Sequence, residues 1–248
     1  QNDHFDRLSR ARQILRYGDA PFRDFFDPGY LLTLQSSAAV QAVFGDNLLG
    51  DVLFETALIA LGFALTFRLA VRASRSVPLG LAFAAFAVAA APRLYDFDKV
   101  WFFALGLALC WRYIDRPTVG RAVLLGAGAA VGALFRYDTG VYLTCAAVVT
   151  ILRCHWSQRA QRGTMSVRLA VYLGALGVVL LPFLVVVHLQ AGLSTSVRQI
   201  AAYAQREGLR TGILRPPSFV GDLSGPLVVL RSPGGASVQV RWSPEVTP

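Results

Sequence analysis

Asp3, His4 and Asp6 open the chain with three oxygen- or nitrogen-bearing side chains in close succession. Farther on, Arg23, Asp24 and Asp27 share one Arg-Asp-Phe-Phe-Asp-Pro turn. Asp96 and Asp98 form an acidic pair, Arg136 stands two residues before Asp138, and Asp51 and Glu55 mark the start of an apolar run. An aspartate gathered with such groups can act as a general base toward a hydroxyl. The planar fork of arginine suits a phosphate, which it holds through paired hydrogen bonds. The opening Asp3, His4 and Asp6 also offer oxygen and nitrogen donors to a divalent ion. His155 and His188 stand in a basic loop and at the end of an apolar run, away from that triplet. Taken singly, each charge has a simpler role as a helix-end anchor or a neighbour's partner. Chemistry therefore depends on the elements that gather them.

Those elements are strongly apolar. Hydrophobic residues make up 54% of the 248 positions and charged residues 16%, with a mean hydropathy of +0.48. A soluble domain carries about 25% charged residues. The net charge of +9 sits in short arginine groups between apolar runs, not along one polar helix or tail. That is the pattern of cytoplasmic anchors of membrane helices, and no nucleic-acid partner is expected. Cys110, Cys145 and Cys154 show no CxxC spacing, so neither a disulfide framework nor a zinc site is indicated.

Leu8, Ala11, Ile14 and Leu15 recur at helical spacing, with Arg7, Arg10, Arg12 and Arg16 off that stripe. They predict an amphipathic helix ending near Gly18 and Pro21. A second helix is expected over Leu31 to Phe44, after the Asp27-Pro28-Gly29 turn. Both would lie at a membrane interface. Six apolar segments follow, at 51–70, 78–92, 99–114, 121–135, 139–153 and 168–189, with Pro182 placed to kink the last. Pro78 to Ala91 and Ala122 to Leu134 have no polar face, which calls for lipid or complete burial. Gly126 and Gly132 permit close helix contact. Ser196 to Gln205 reads as a short helix with Ser196 and Gln199 as a capping box. From 216 onward the chain reads as irregular, with a strand at Ser237 to Trp242 as the one candidate element.

Crossing a bilayer once per segment places Arg68, Arg72, Arg75, Arg112, Arg116, Arg121, Arg153, Arg159, Arg162 and Arg168 on one side, accompanied by Asp115. The opposite short loops hold Arg93, Lys99 and Arg136 with Asp96, Asp98 and Asp138. Ten basic residues against three is the positive-inside bias. The expected fold is all-α: a polytopic transmembrane helical bundle with amphipathic outer-loop helices. Residues 1–50 form the outer first loop, 51–189 the bundle of about six helices, and 190–248 an outer juxtamembrane helix with an irregular tail.

Asp3-His4, Ala11-Arg-Gln-Ile-Leu-Arg-Tyr-Gly18 and Pro21-Phe-Arg-Asp-Phe-Phe-Asp-Pro28 together resemble the first outer loop of bacterial GT-C glycosyltransferases. The group includes protein-mannosyltransferase-like and aminoarabinose-transferase-like enzymes. Leu134-Phe-Arg-Tyr-Asp-Thr-Gly-Val-Tyr142 resembles their Phe-Arg-x-Asp-x-Gly element. The resemblance covers residues 3 to 190. It implies sugar transfer, with inversion, from a polyprenyl-phosphate donor to a glycan, lipid or protein acceptor on the outer face of the bacterial cytoplasmic membrane. Asp3 matches the family's catalytic base. His4 replaces the second acid of the usual pair. His4, Asp6, Arg23, Asp24, Asp27, Asp96, Asp98, Arg136 and Asp138 are the candidate substrate-binding residues. The resemblance also implies a membrane helix before Asp3 and further spans beyond the last residue, so the sequence reads as an N-terminal fragment, inactive alone. No cofactor follows from it; a divalent ion at the opening triplet is the one metal option. The competing readings are a transporter or flippase of a lipid-linked or small polar substrate, and a noncatalytic membrane subunit.

Overall fold

The computed structural model describes residues 3–90, 97–156, 162–213, 227–231 and 237–241, with the backbone alone for 3–4, 156, 162–163, 207–213, 227–231 and 237–241. Helix α1, Asp3–Arg12, runs into a single π-helical turn, Gln13–Tyr17. Gly18 ends it at φ +69°, a left-handed conformation that suits glycine. Helix α2 spans Leu31–Phe44. The apolar segments become α3 (Leu48–Ser74), α4 (Val77–Ala89), α5 (Phe97–Asp115), α6 (Val119–Phe135), α7 (Tyr137–Trp156) and α8 (Arg162–Ala191). Asn47, Ser76 and Thr118 cap α3, α4 and α6 by accepting backbone N–H bonds from Gly50, Leu79 and Arg121. Pro182 lies within α8 without ending it.

The chain divides into two units, Gln1–Val197 and Arg198–Pro248. In the first, α6 packs against α5, α7 and α8, while α3 packs against α4 and α5. Helices α1 and α2 pack on each other, and both touch α3. The core combines Phe102, Cys110 and Tyr113 of α5 with Leu125 and Ala129 of α6, Leu143 and Ile151 of α7, and Tyr172 of α8. Small residues set the separations. A Cβ at Gly126 would strike the Tyr172 carbonyl, and one at Gly132 would lie 2.8 Å from Leu143 Cδ1. The expected close helix contact is therefore made on both sides of α6.

Helix α3 and residues 164–191 of α8 are long and apolar enough to cross a membrane. At 1.5 Å per residue, 27 residues reach about 40 Å, beyond the ~30 Å hydrocarbon thickness of a bilayer. Helix α4 exposes Leu79, Phe83 and Phe86, and α8 exposes Val178 and Leu189. Helix α2 departs from the expected amphipathic form. Its buried face mixes Thr33, Ser37 and Gln41 with Leu34 and Ala38, while Val43 and Phe44 face outward. The polar face turns inward because its partners are there: Thr33 Oγ1 donates to the Phe135 carbonyl at 2.7 Å, and Ser37 Oγ bonds both Asp51 oxygens at 3.0 and 2.8 Å.

Two expectations for the C-terminal part are corrected. Helix α9 spans Leu193–Ile213, so Ser196 and Gln199 lie inside it and form no capping box. Gly192, at φ +81°, separates α8 from α9 and lets the new helix start at once. Ser196 Oγ instead donates back to the Gly192 carbonyl at 3.2 Å. In the tail the candidate strand from Ser237 is present as β2 (Ser237–Arg241), and an unexpected β1 (Leu227–Arg231) pairs antiparallel with it, Leu227 opposite Arg241. Leu227-Val-Val-Leu is a short β-prone run, and alternation does not reveal so short a strand. Trp242 lies outside the described residues.

Candidate active site

The helix ends nearest α1 and α2 gather a charge cluster. Asp98 occupies the first turn of α5, where the helix dipole favours a negative charge. It is only 1% exposed. Arg136 is the extended residue between α6 and α7, with φ −155° and ψ 127°. Its Nε lies 3.3 Å from Asp98 Oδ2. The same guanidinium makes a two-pronged contact with Asp138, through Nε and Nη2 at 3.0 and 2.9 Å. The Tyr30 ring centroid lies 5.0 Å from its centre. Burial opposes charge on Arg136, yet the hydrogen bonds to Asp138 and the surrounding negative charge raise its pKa above the ordinary arginine value. It stays protonated.

A second pair anchors α1 over the same end. Arg7 Nη1 donates to Glu55 Oε1 at 2.7 Å, and both side chains are largely buried. The Arg7 guanidinium also sits 5.0 Å from the Phe97 ring centroid, next to Asp98 in sequence. Arg7, Lys99 and Arg136 all lie within electrostatic reach of the Asp98 carboxylate. Arg12 and Arg16 tie the rest of α1 and its π turn to Asp46, at 2.9 and 2.7 Å.

The turn between α1 and α2 is built from its own polar groups. Arg23 and Asp24 pair with each other on the surface at 2.6 Å, and Asp24 also accepts the Ala20 N–H at 2.7 Å. Those bonds, the Arg23 one foremost, hold the Asp24 carboxyl below the usual carboxylate range. Asp27 is fully buried. Its Oδ1 accepts the N–H groups of Gly29 and Tyr30 at 2.8 and 2.7 Å. Gly29, at φ +96°, cannot carry a Cβ without meeting Tyr137 Cδ1 at 2.9 Å.

Desolvation raises the Asp27 pKa above its ordinary value, against the opposing backbone bonds and the charge of Arg10. A folded-state pKa raised above the unfolded value stabilises below the unfolded pKa and loses that contribution as pH rises through the folded pKa. Asp27→Asn keeps the side-chain carbonyl acceptor and removes the buried charge. It is expected to equal or exceed wild-type stability at neutral pH and to lose the wild type's pH dependence above pH 4 or so. Asp27→Ala strands two N–H groups and should cost about 1–3 kcal/mol. Thermal unfolding of both variants between acid and neutral pH checks this.

Of the expected site residues, Asp98, Arg136 and Asp138 come together. Asp6 is exposed and pairs with Arg10 at 3.1 Å. Arg23 and Asp24 satisfy each other, and Asp27 holds its own turn. Asp3 and His4 form the first turn of α1, one helical turn before Arg7. Asp96 lies outside the described residues. Among the described residues, no group of three or more His, Cys, Asp or Glu side chains is placed to hold a metal ion. Arg7, Tyr30 and the Thr33–Ser37 stripe were not foreseen as parts of this region. Glu55 carried the available signal: an acid within an apolar helix needs a partner, and the basic face of α1 was the nearest supply. No protein-family model, curated protein or solved structure matches the chain.

Proposed function

We propose that the chain is a multi-pass membrane protein of the bacterial cytoplasmic membrane that acts as a GT-C-type glycosyltransferase. It moves a sugar from a polyprenyl-phosphate carrier to an acceptor hydroxyl at the outer face. The membrane part of the reading is supported by two helices of spanning length, by α4 with apolar side chains all round, and by the inward polar stripe of α2. The arginine bias sets the orientation.

One observation carries the transfer reading: Arg136, held by Asp98 and Asp138, shares one end of the helices with the Arg7–Glu55 anchor of α1. That end is opposite the arginine-rich loops. Asp3, one turn before Arg7, takes the proton of the acceptor hydroxyl. The hydroxyl oxygen attacks the anomeric carbon from the side opposite the carrier, so the configuration inverts. The bond between the anomeric carbon and the phosphate oxygen breaks, and the phosphate leaves with the bonding pair. A guanidinium fixed before the reaction stabilises that negative charge without reorganising. Arg136 is such a group, since its two carboxylate partners fix its plane.

The test is an assay in membranes carrying the protein at its full natural length, with a labelled polyprenyl-phosphate sugar. Covalent transfer of label to an acceptor is the expected result. Label that crosses the bilayer while remaining on its carrier would establish a flippase instead. Label that neither moves nor transfers across a panel of sugars and acceptors would favour the noncatalytic subunit.

A further inference from the structure

The opposite end of the helices carries a second polar feature, separate from the Arg136 cluster. A groove opens between the C-terminal ends of α5 and α7, lined by Ile114, Pro117, Val149, Thr150, Arg153 and Cys154. Ile114 and Val149 are exposed apolar walls. Thr150 adds a hydroxyl, which also hydrogen-bonds Cys110 beneath, and Arg153 a cation. Two arginines of this end have acceptors: Arg72 bonds Asp115 at 2.6 Å, and Arg121 donates to the carbonyls of Arg112 and Arg116. Among the described residues, Arg153 has no hydrogen-bonded or ion-paired acceptor.

A second guanidinium nearby is also short of acceptors. Nε and Nη1 of Arg168, at the start of α8, are buried and make no hydrogen bond among the described residues. Tyr113, whose hydroxyl lies 3.0 Å from His155 Nε2, is within electrostatic reach of both Arg168 and the groove residue Cys154. Positive charge at this end thus exceeds what the described side chains and carbonyls satisfy.

We propose that this groove binds an anionic phospholipid of the inner leaflet. Its phosphate sits against Arg153 and the Thr150 hydroxyl, and an acyl chain lies along Ile114 and Val149. Basic pockets between membrane helices on the cytoplasmic side recognise anionic headgroups in this way. The apolar walls favour a lipid over a free phosphate, which would gain nothing from them. The inference rests on the membrane orientation proposed above and is independent of the transfer chemistry.

The chain is placed in nanodiscs of phosphatidylcholine mixed with phosphatidylglycerol, and retained lipid is counted by native mass spectrometry. Preferential retention of phosphatidylglycerol is expected. Arg153→Gln should lower it about fivefold, the value of one arginine at an anionic surface. Arg72→Gln, whose guanidinium is committed to Asp115, should leave it unchanged. Equal retention in Arg153→Gln and wild type, or no preference over phosphatidylcholine, overturns the proposal. So does full displacement of the lipid by glycerol phosphate, which would mark a plain phosphate site. Alkaline carbonate extraction separates the two levels: a chain released from membranes overturns the orientation as well, whereas an inserted chain without lipid preference overturns the groove alone.

Discussion

Arg136→Gln is expected to destabilise the helical bundle by about 3–5 kcal/mol, because it leaves the buried Asp98 carboxylate without its nearest cation. Asp98 is 1% exposed in the first turn of α5, so water cannot replace the lost partner. Asp138 is more exposed than Asp98 and has a backbone partner, the Thr139 N–H at 2.8 Å. Its loss of Arg136 costs less. The distinguishing variant is Asp98→Asn combined with Arg136→Gln, which removes both charges; asparagine keeps the size of aspartate, and the shorter glutamine puts an amide in place of the guanidinium fork. If the penalty is an orphaned charge, the double variant regains part of the lost stability, with a coupling energy of about 1–3 kcal/mol. Thermal unfolding of the four proteins in detergent measures it. Additive losses would show that Arg136 acts through packing on Tyr30 and not through Asp98. Stability and transfer should then separate, because the double variant folds but has no cation for a leaving phosphate.

The apolar periodicity made most of the fold legible. Leu31 to Phe44 is bounded as expected, and each of the six apolar segments became one helix, since long apolar runs leave the backbone few alternatives. What periodicity could not supply was direction. The basic face of α1 was legible as a stripe, but its partners, Glu55 and Asp46, lie 48 and 34 residues along the chain from Arg7 and Arg12. Helix α2 ran against the ordinary rule in part, burying Thr33, Ser37 and Gln41 beside Leu34 and Ala38. A reading that sends polar residues outward misplaces Thr33 and Ser37, whose acceptors are the Phe135 carbonyl and Asp51. The same long-range logic hid the end of the last helices. Gly192 allowed α9 to restart at once, so a plausible cap sequence at Ser196 was left inside the helix. The Arg136–Asp138 pair was legible because both residues lie within one local element; its buried third member, Asp98, was visible only as an acid.

Asp3→Asn should lower transfer by about 100- to 10,000-fold, the range that a positioned general base contributes. The substitution changes one atom and removes the proton acceptor, so binding of the donor should hardly change. KM for the carrier-linked sugar should stay near wild type while kcat falls, the signature of a group that acts in the reaction step. Folding should also survive. Helix α1 is held by Arg7 on Glu55 and by Arg12 and Arg16 on Asp46, none of which involves Asp3. Asp115→Asn, at the opposite end in the exposed pair with Arg72, is the matched control for losing an acid and should retain activity. A large rise in KM with kcat preserved would move Asp3 from base to binding group. Wild-type activity in Asp3→Asn would remove it from the reaction and leave its neighbour His4 as the next base to test. Arg7→Gln adds the positional control. Without its bond to Glu55, α1 loses its anchor one turn from Asp3, so transfer should fall even though the base itself is intact.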